Sequence, residues 1–253
     1  MIMKVMASDG LNIRQQPNKF SDIIGTLPFG TLIEGKIEGD WFNYERGNLH
    51  IDYLLENKDT SLIDFADEIG VDWRLLQAIL KSESPEGSFR DGRLIIRFEA
   101  HIFANKVQTS NIIFDWNPNL PWKNQRAFIN NEWIDIHITG PQSQNREYYV
   151  FEFAKVLHEE NAHLSISMGE AQIMGFNHKS VGFNSAREMY EFASQSKEND
   201  RQLYYRYIKT RMDLIQAMRN KHFRTIAAIY NGSNVDVYSE HIKSRYVMMG
   251  GEL

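Results

Sequence analysis

The chain has 253 residues, of which 42% are hydrophobic and 24% charged, a composition typical of one large or two modest globular domains. Its net charge of -5 is spread evenly and forms no basic cluster, which argues against binding to nucleic acid or to an anionic membrane surface. There is no cysteine, so disulfides and thiolate metal sites are excluded.

The first ten residues contain no apolar run long enough for a signal peptide, and no stretch of the sequence is long enough to span a membrane. We therefore expect synthesis in the cytosol, with a separate export or release route for any work outside the cell.

Residues 1–57 are predicted to form a small all-β unit. Short β-rich runs alternate there with turn signals, and five strands at this spacing suggest a small barrel. The aromatic residues of the fourth run either fill the barrel, which is the commoner outcome, or form a ligand surface. The predicted strands are Leu11–Arg14, Ile23–Leu27, Thr31–Ile33, Trp41–Tyr44 and Ile51–Leu54.

From residue 60 onward the pattern becomes mostly helical, after a short linker at Asn57–Asp59. The segment Ile112–Arg146 breaks this rhythm, and we interpret it as an insertion carrying a β-hairpin or a long loop. The fold class is thus two domains: a small all-β barrel over 1–57, then a mostly α domain over 60–253. The clearest later helices are predicted at Glu147–Glu160, Ala186–Ser194, Asp200–Met218, 223–230 and 238–246.

Glu83 is a carboxylate at a position where helical periodicity requires a hydrophobe. The stripe Leu76, Ile79, Leu80 continues to Glu83, just before the helix ends near Pro85. A carboxylic acid removed from water has a raised pKa and can serve as a general acid near neutral pH. The alternative is that Glu83 is a helix-end residue in solvent or paired with an arginine.

Two downstream segments are the other candidates for a site. In Ser167–His178, small residues allow close approach of the backbone to a ligand, and the amides of Gln172 and Asn177 can bind sugar hydroxyls and acetamides. Ala228–Gly232 places an aromatic and an amide at a helix end. Taken singly, both are more typical of turns and core.

In combination and in this order, Glu83-Ser84, the Ser167–His178 segment and Tyr230-Asn231-Gly232 resemble the lysozyme-like superfamily. The chain is more narrowly similar to the N-acetylmuramidase family of phage endolysins, over roughly residues 71–246. It departs from the family pattern at Pro85-Glu86 and at Glu170-Ala171. Residues 1–57 resemble bacterial Src-homology-3-type domains, many of which bind the cell wall.

The resemblance implies cleavage of peptidoglycan between N-acetylmuramic acid and N-acetylglucosamine, with Glu83 as the general acid. A second carboxylate would be Glu99, Glu170 or Glu86. We favour Glu99, although a structural ion pair with Arg93 or Arg97 is the alternative. Members of the matching motifs are expected to bind substrate: Ser84, Phe98, His101, Ser167, Gly169, Glu170, Gln172, Asn177, Tyr230 and Asn231.

The resemblance also sets the expected partners and location. The partners are peptidoglycan glycan strands and a cell-wall ligand for the N-terminal barrel, with no cofactor, no metal, no nucleic acid and no membrane. We expect a monomer that is made in the host bacterial cytoplasm and acts on the wall, in the periplasm or outside, after release.

Several alternatives to this function remain. The same acid would serve a lytic transglycosylase, and a decayed cleft would leave a non-catalytic wall-binding phage structural protein. An interbacterial toxin would use the same chemistry with another delivery. A zinc protease is disfavoured because His158 and His163 are five residues apart, about 140° around a helix, rather than four.

Overall fold

The structure is a computed structural model that describes residues 2–56, 61–108, 112–117, 119, 124–232 and 234–253. The chain forms two compact units: Met1–Glu86 with Arg211–Leu253, here called the first unit, and Gly87–Thr210, the second unit. These units divide the chain differently from the domains predicted over 1–57 and 60–253, which stay a prediction. In the described part of the chain, no helix combines the length and apolar character needed to cross a bilayer.

The elements follow the chain in this order. The strands are β1 (Ile2–Val5), β2 (Leu11–Arg14), β3 (Ile23–Leu27), β4 (Leu32–Glu38), β5 (Trp41–Tyr44), β6 (Gly47–His50), β7 (Leu54–Glu56), β8 (Phe89–Arg90), β9 (Arg93–Leu94), β10 (Ile96–Phe98), β11 (Phe114–Asp115), β12 (Arg126–Ile129), β13 (Glu132–Asp135), β14 (Ile166–Met168) and β15 (Ile173–Met174). The helices are α1 (Ser61–Ile69), α2 (Trp73–Glu83), α3 (Ala100–Val107), α4 (Ser143–Leu164), α5 (Ala186–Ala193), α6 (Lys197–Lys209), α7 (Met212–Arg219), α8 (Phe223–Tyr230) and α9 (Val235–Met248).

The first unit begins with a curled antiparallel sheet in the order β3-β2-β6-β5-β4-β1-β7. Strand β4 is long enough to pair with β1 through its first half and with β5 through its second half, so the sheet bends around it. Its core holds alternate side chains of the strands, among them Val5, Ile13, Phe42 and Leu49. The all-β prediction for this region is therefore confirmed, while its Src-homology-3 identity stays a prediction.

The strand boundaries in this sheet correct the sequence-based prediction at three places. Strand β1 was missed, although Met3 and Val5 are buried on one face of it. Gly47-Asn48, a pair whose composition is typical of a turn, opens strand β6. Ile51–Tyr53, predicted as a strand, is a 3-10 turn, since the His50 ring accepts a hydrogen bond from the Asp52 amide and caps it. Phe42 and Tyr44 fill the core, whereas Trp41 is half-buried.

Helices α1 and α9 of the first unit pack against α2, and α8 packs against α7 and α9. Asp72 caps its N-terminus by accepting from the Arg74 amide at 3.0 Å. Helix α9 lies along α2 with Tyr238, Ile242 and Tyr246 buried, as the predicted stripe requires. The Tyr246 hydroxyl donates to the Asp72 carboxylate at 2.9 Å, which ties the C-terminal half of α9 to the start of α2.

The second unit combines small sheets with α3–α6. Its sheets have the orders β10-β14-β15, β11-β12-β13 and β8-β9. The hairpin expected within Ile112–Arg146 is present as β12–β13, with Phe128 opposite Trp133. Helix α4 extends beyond the predicted Glu147–Glu160 at both ends, with non-helical geometry at His158.

The single helix predicted over Asp200–Met218 is wrong. Two helices, α6 and α7, occupy the segment, and Arg211 between them has non-helical angles. The Thr210 hydroxyl donates to the Tyr207 carbonyl at 2.7 Å, a local bond that competes with continuation of the helix. Met212, which would lie four residues after the buried Ile208 on one face of a continuous helix, is instead 64% exposed.

Candidate active site

Glu83 is the last residue of α2 and lies where the sequence pattern places it. Leu76, Ile79 and Leu80 are fully buried, and Glu83 continues their face at a half-buried position. The helix stops because Ser84 turns to extended geometry while its amide still donates to the Leu80 carbonyl at 2.9 Å. The carboxyl group is therefore held at a rigid helix end.

Two side chains of the first unit bind the Glu83 carboxyl group. The Tyr238 hydroxyl of α9 donates to Oε1, and the Asn231 side chain forms a second hydrogen bond. Burial raises the pKa of Glu83 to about 7, because desolvation outweighs these two bonds, which favour the charged form. At neutral pH the group is thus divided between its proton-bearing and charged forms.

The turn from α8 to α9 brings Asn231 to this position. Helix α8 ends at Tyr230, which is half-buried, and the Asn231 amide donates to the Ala227 carbonyl at 3.0 Å. Gly232 follows with φ +73°, a left-handed conformation that favours glycine. The predicted set Glu83, Ser84, Tyr230 and Asn231 therefore lies within one unit, with Glu83 and Asn231 in direct contact.

Tyr238 is the site residue that sequence reasoning missed. The pattern assigned it to the core stripe of α9, and it is indeed buried at 7% exposure. A buried tyrosine nearly always needs a partner for its hydroxyl, and that requirement was the available signal. The identity of the partner depends on tertiary packing.

Glu99 is engaged in a polar network of the second unit. It precedes α3 and is 9% exposed. Its Oε1 accepts from Arg97 Nε at 2.9 Å and its Oε2 from Gln125 Nε2 at 2.6 Å. His101 Nδ1 lies 3.4 Å from Oε2. The ion pair foreseen as the alternative is thus present with Arg97, whereas Arg93 instead stacks on the Tyr148 ring at 4.5 Å.

The Ser167–Gln172 segment forms the turn between β14 and β15. Ser167 Oγ donates to Gln172 Oε1 at 2.8 Å, and Gln172 Nε2 donates to the Gly169 carbonyl at 2.8 Å. Gln172 itself has φ +49°. Its amide group, predicted to bind substrate, therefore also holds the turn closed.

Asp200 lies directly beneath this turn. It is 2% exposed, and its Oδ2 accepts the Glu170 amide at 2.9 Å. Burial raises the pKa of Asp200 to about 6, partly offset by hydrogen bonds from the Glu170 amide and the Ser88 side chain. Glu170 is also buried and pairs with Arg201 Nη2 at 2.7 Å, so its carboxylate is already neutralised.

The remaining residues predicted to bind substrate lie in surroundings typical of residues that stabilise the fold. Phe98 is fully buried between Phe103 and Phe114, so its position is that of a core residue and its assignment to substrate binding lacks support from the geometry. His101 is half-buried. Asn177 is half-buried in a 3-10 turn, where its carbonyl accepts from Ser180 Oγ at 2.7 Å.

The two histidines of the rejected zinc motif differ in their surroundings. His158 is exposed, whereas His163 is 3% exposed and packs edge-on against Phe151, so only His158 faces solvent. Across the described ranges, no group of three or more His, Asp or Glu side chains is arranged to hold a metal ion.

Comparison with known proteins assigns the family. The N-acetylmuramidase family model matches residues 72–249. The chain belongs to the N-acetylmuramidase family. As a family member it is a glycoside hydrolase that acts on peptidoglycan. The match contains Glu83, Asn231 and Tyr238, and residues 1–71 lie outside it.

Structural comparison supports the fold of this muramidase. The crystal structure of Burkholderia AP3 phage endolysin is similar with a TM-score of 0.57 and 21% sequence identity, over 76% of this chain and 71% of that chain. At this identity the likeness concerns the fold alone. Among curated proteins, sequence comparison finds no match.

Proposed function

We propose that the protein is an endolysin-type N-acetylmuramidase in which Glu83 is the general acid that cleaves the bond between N-acetylmuramic acid and N-acetylglucosamine. One observation carries this proposal: within the region that matches the family, Glu83 is the carboxyl group whose pKa is raised to about 7 at a helix end. A glycosidic oxygen is a poor leaving group until it is protonated, so the reaction needs an acid that still holds its proton near neutral pH.

Tyr238 and Asn231 have the role of positioning residues in this scheme. The Tyr238 hydroxyl donates to Glu83 Oε1, so it fixes the rotamer of the carboxyl group and leaves the proton on the other oxygen for the substrate. After proton transfer the same bonds stabilise the carboxylate. Glu83 can therefore take up a proton again for the next cycle without a rearrangement of the helix end.

The second half of the reaction allows two outcomes. In a hydrolase, a second carboxylate activates water or stabilises the oxocarbenium-like centre. Glu99 was predicted for this role, but Glu99 and Glu170 both carry arginine partners at 2.9 and 2.7 Å. This engagement favours a second candidate function, a lytic transglycosylase, in which the muramyl hydroxyl attacks intramolecularly and no second carboxylate is needed.

Delivery is proposed from the family and the fold neighbour. A phage endolysin made in the host cytoplasm reaches the wall after release, and the similar structure is that of a phage endolysin.

We also propose that the curled sheet of residues 2–56 is a Src-homology-3-like wall-binding domain, supported by its antiparallel strands.

The test is digestion of purified peptidoglycan with wild type, Glu83→Gln and Glu132→Gln, followed by mass spectrometry of the soluble products. Glu132 is an exposed carboxylate on β13 and serves as the matched control. Loss of general-acid catalysis lowers the rate by about 10²–10⁴-fold in Glu83→Gln, while Glu132→Gln keeps wild-type activity.

The products then separate the remaining functions. New reducing ends at muramic acid support the muramidase, and anhydro-muramyl ends support the transglycosylase. Binding to sacculi without release of soluble sugar would instead identify a non-catalytic wall-binding protein. Full activity of Glu83→Gln would remove Glu83 from the mechanism.

A further inference from the structure

We propose that a groove between the N-terminal sheet and α9 is a second saccharide-binding site, for a carboxylate-bearing muramyl unit of the wall. This inference rests on the proposed function for the choice of polymer, since it assigns a separate, non-catalytic site on the same substrate. The residues that line the groove belong to the first unit and do not include Glu83, Asn231 or Tyr238.

The groove has the size and shape of a ligand site. Its volume is about 750 Å³, within the range of about 300–1,000 Å³ common for small-molecule pockets. The sheet contributes the start of β2, the β5–β6 pair and the following 3-10 turn. Helix α9 contributes the opposite wall through His241, Ser244, Arg245 and Met248, a set at helical spacing.

Three rings line the sheet side of the groove. Trp41 meets His50 edge-on at 5.2 Å between ring centroids, and His50 meets Tyr53 at 5.9 Å. All three are half-buried, so part of each ring faces the groove. The C–H face of a pyranose is apolar, and a partly exposed tryptophan provides a flat apolar surface on which it can stack.

The charges around the rings favour an anionic sugar over a neutral one. Residues 1–57 carry 5 basic and 8 acidic side chains, so this part of the chain is acidic as a whole. The lining of the groove is instead positive, with the basic residues Arg14, Lys19 and Arg245 and the acidic residues Asp9 and Asp52. Arg245 is paired with Asp52 at 2.9 Å, so the surplus positive charge of the lining lies on Arg14 and Lys19. Arg14 donates to the Ser21 carbonyl at 2.7 Å, and Lys19 Nζ lies 5.2 Å from the centre of the Phe20 ring. A cation next to an apolar floor matches a sugar that carries a carboxylate, as muramic acid does through its free lactyl group or, where that group is amidated, through the carboxylates of the attached peptide.

The groove also reaches the catalytic acid through a shared element. Arg245 and Tyr238 are seven residues apart on α9, which corresponds to about 10 Å along the helix axis at a rise of about 1.5 Å per residue. At about 100° per residue, the two positions differ by only about 20° around the helix axis, so Tyr238 donates to Glu83 from nearly the same side of α9 that carries Arg245. A ligand bound in the groove thus rests on the element that positions the acid.

The test uses the full-length protein in the Glu83→Gln background, so that binding is measured without turnover. N-acetylmuramyl-L-alanyl-D-isoglutamine is the anionic probe, and N,N′-diacetylchitobiose is the neutral probe. Indole resonances of the five tryptophans are followed by NMR during each titration. We expect saturable binding of the muramyl probe with a selective shift of the Trp41 indole signal, and weaker binding of chitobiose.

Three variants decide the assignment. Trp41→Ala should weaken binding of the muramyl probe about tenfold, since a stacked aromatic is a typical hot-spot residue. Trp133→Ala, which removes a 40% exposed tryptophan from the second unit, should leave the dissociation constant unchanged. Lys19→Glu lies on an exposed loop and should weaken the muramyl probe several-fold while leaving chitobiose unaffected.

Each outcome bears on the proposal. Unchanged muramyl binding in both Trp41→Ala and Lys19→Glu, or no saturable binding at all, overturns it. If Trp41→Ala loses its folded circular dichroism spectrum, Lys19→Glu alone decides. A wild-type protein that fails to cleave peptidoglycan but binds the probe at Trp41 would refute the proposed function and leave the groove assignment standing.

Discussion

The raised pKa of Glu83 also makes the stability of the folded protein depend on pH. In the unfolded chain this carboxyl group loses its proton near its ordinary pKa of 4.5, whereas in the folded protein it holds the proton to about 7. Because the unfolded state releases the proton first, the folded state loses stability as pH rises from about 4.5 to about 7. The proposed acid therefore destabilises the folded state at the neutral pH where it would act.

We predict that Glu83→Gln stabilises the protein at pH 8 and leaves its stability at pH 4 nearly unchanged. Glutamine keeps an oxygen for the Tyr238 hydroxyl but carries no charge into the partly buried site. The gain at pH 8 should approach about 3 kcal/mol, from about 1.4 kcal/mol per unit of pKa shift. Denaturant unfolding at the two pH values measures it.

The Glu132→Gln variant controls for the general effect of removing a negative charge from an acidic protein. It should show no such difference between pH 4 and pH 8, because Glu132 is exposed. An equal gain in the free energy of unfolding in both variants would mean that the surroundings of Glu83 do not raise its pKa.

We predict that Tyr238→Phe moves the alkaline limit of activity to higher pH and lowers the maximal rate. The Tyr238 hydrogen bond lowers the pKa of Glu83, so its loss leaves desolvation less opposed and the acid keeps its proton longer. The rate should fall about tenfold because the carboxyl group loses an orienting contact. The pH profile of kcat/KM on purified peptidoglycan gives both effects.

Tyr149→Phe is the matched control for this change. Its hydroxyl accepts from Asn130 Nδ2 at 3.1 Å, so it also loses one side-chain hydrogen bond, but in the second unit. It should leave the pH profile where it is. A purely structural Tyr238 would lower activity without moving the alkaline limit.

At the level of elements, the β14–β15 turn depends on glycine for two separate reasons. Gly169 has φ +73°, and a Cβ there would lie 1.6 Å from Asp200 Oδ1. The turn and the buried acid are therefore packed against each other with no room for a methyl group. Gly182 has a similar φ of +88°, but a Cβ there would meet nothing within 4 Å.

We predict that Gly169→Ala destabilises the fold clearly more than Gly182→Ala. Both alanines must adopt a left-handed conformation at a cost of about 1–2 kcal/mol. Only Gly169→Ala adds the overlap with Asp200, a further cost of about 1–3 kcal/mol. Thermal unfolding of the two variants compares them, and equal losses would show that the contact with Asp200 relaxes freely.

Periodicity predicted the elements whose burial follows a single face. The stripe ending at Glu83 and the α9 stripe of Tyr238, Ile242 and Tyr246 are both buried as expected. It failed where a local polar bond overrides the pattern, as at Thr210 between α6 and α7. It also failed at β6, because Gly47-Asn48 has the composition of a turn, whereas sheet pairing with Tyr44 and Asn43 determines its conformation.

The candidate site, like the fold, was only partly predictable from the sequence. Glu83 and Asn231 lie in short motifs that can be read along the chain, but their hydrogen bond joins α2 to the α8–α9 turn. Tyr238 and Asp200 belong to no motif, and their importance comes from burial beside partners that lie 155 and 30 residues away in sequence. Sequence thus indicated Glu83 and Asn231, but neither Tyr238 nor Asp200.

At the scale of the whole molecule, the first unit joins the N-terminal sheet to the C-terminal helix. Arg245 Nη1 pairs with Asp52 at 2.9 Å, and the Tyr53 hydroxyl lies 3.6 Å from Met248 Sδ. Both side chains of the ion pair are about a quarter exposed, so solvent screens it less than a fully exposed pair. The sheet and α9 should therefore unfold together.

We predict that Arg245→Glu destabilises the protein by about 1–2 kcal/mol, since it places a like charge against Asp52 in a partly buried contact. Arg224→Glu is the control, because Arg224 and Asp236 form an ion pair in which both side chains are 74% exposed. It should cost less than about 1 kcal/mol. Chemical denaturation followed by tryptophan fluorescence and by far-ultraviolet circular dichroism checks both values and whether the two transitions coincide.

The contact between α9 and the sheet also affects how the enzyme can be re-engineered. One way to re-engineer the protein is to exchange the N-terminal sheet of residues 2–56 for another domain. Here such an exchange would strip the outer face of a helix that bears Val247 and Met248, already 44% and 48% exposed, and would remove the counter-ion of Arg245. A working chimera would need a redesigned final helix, with Tyr238 kept on its inner side.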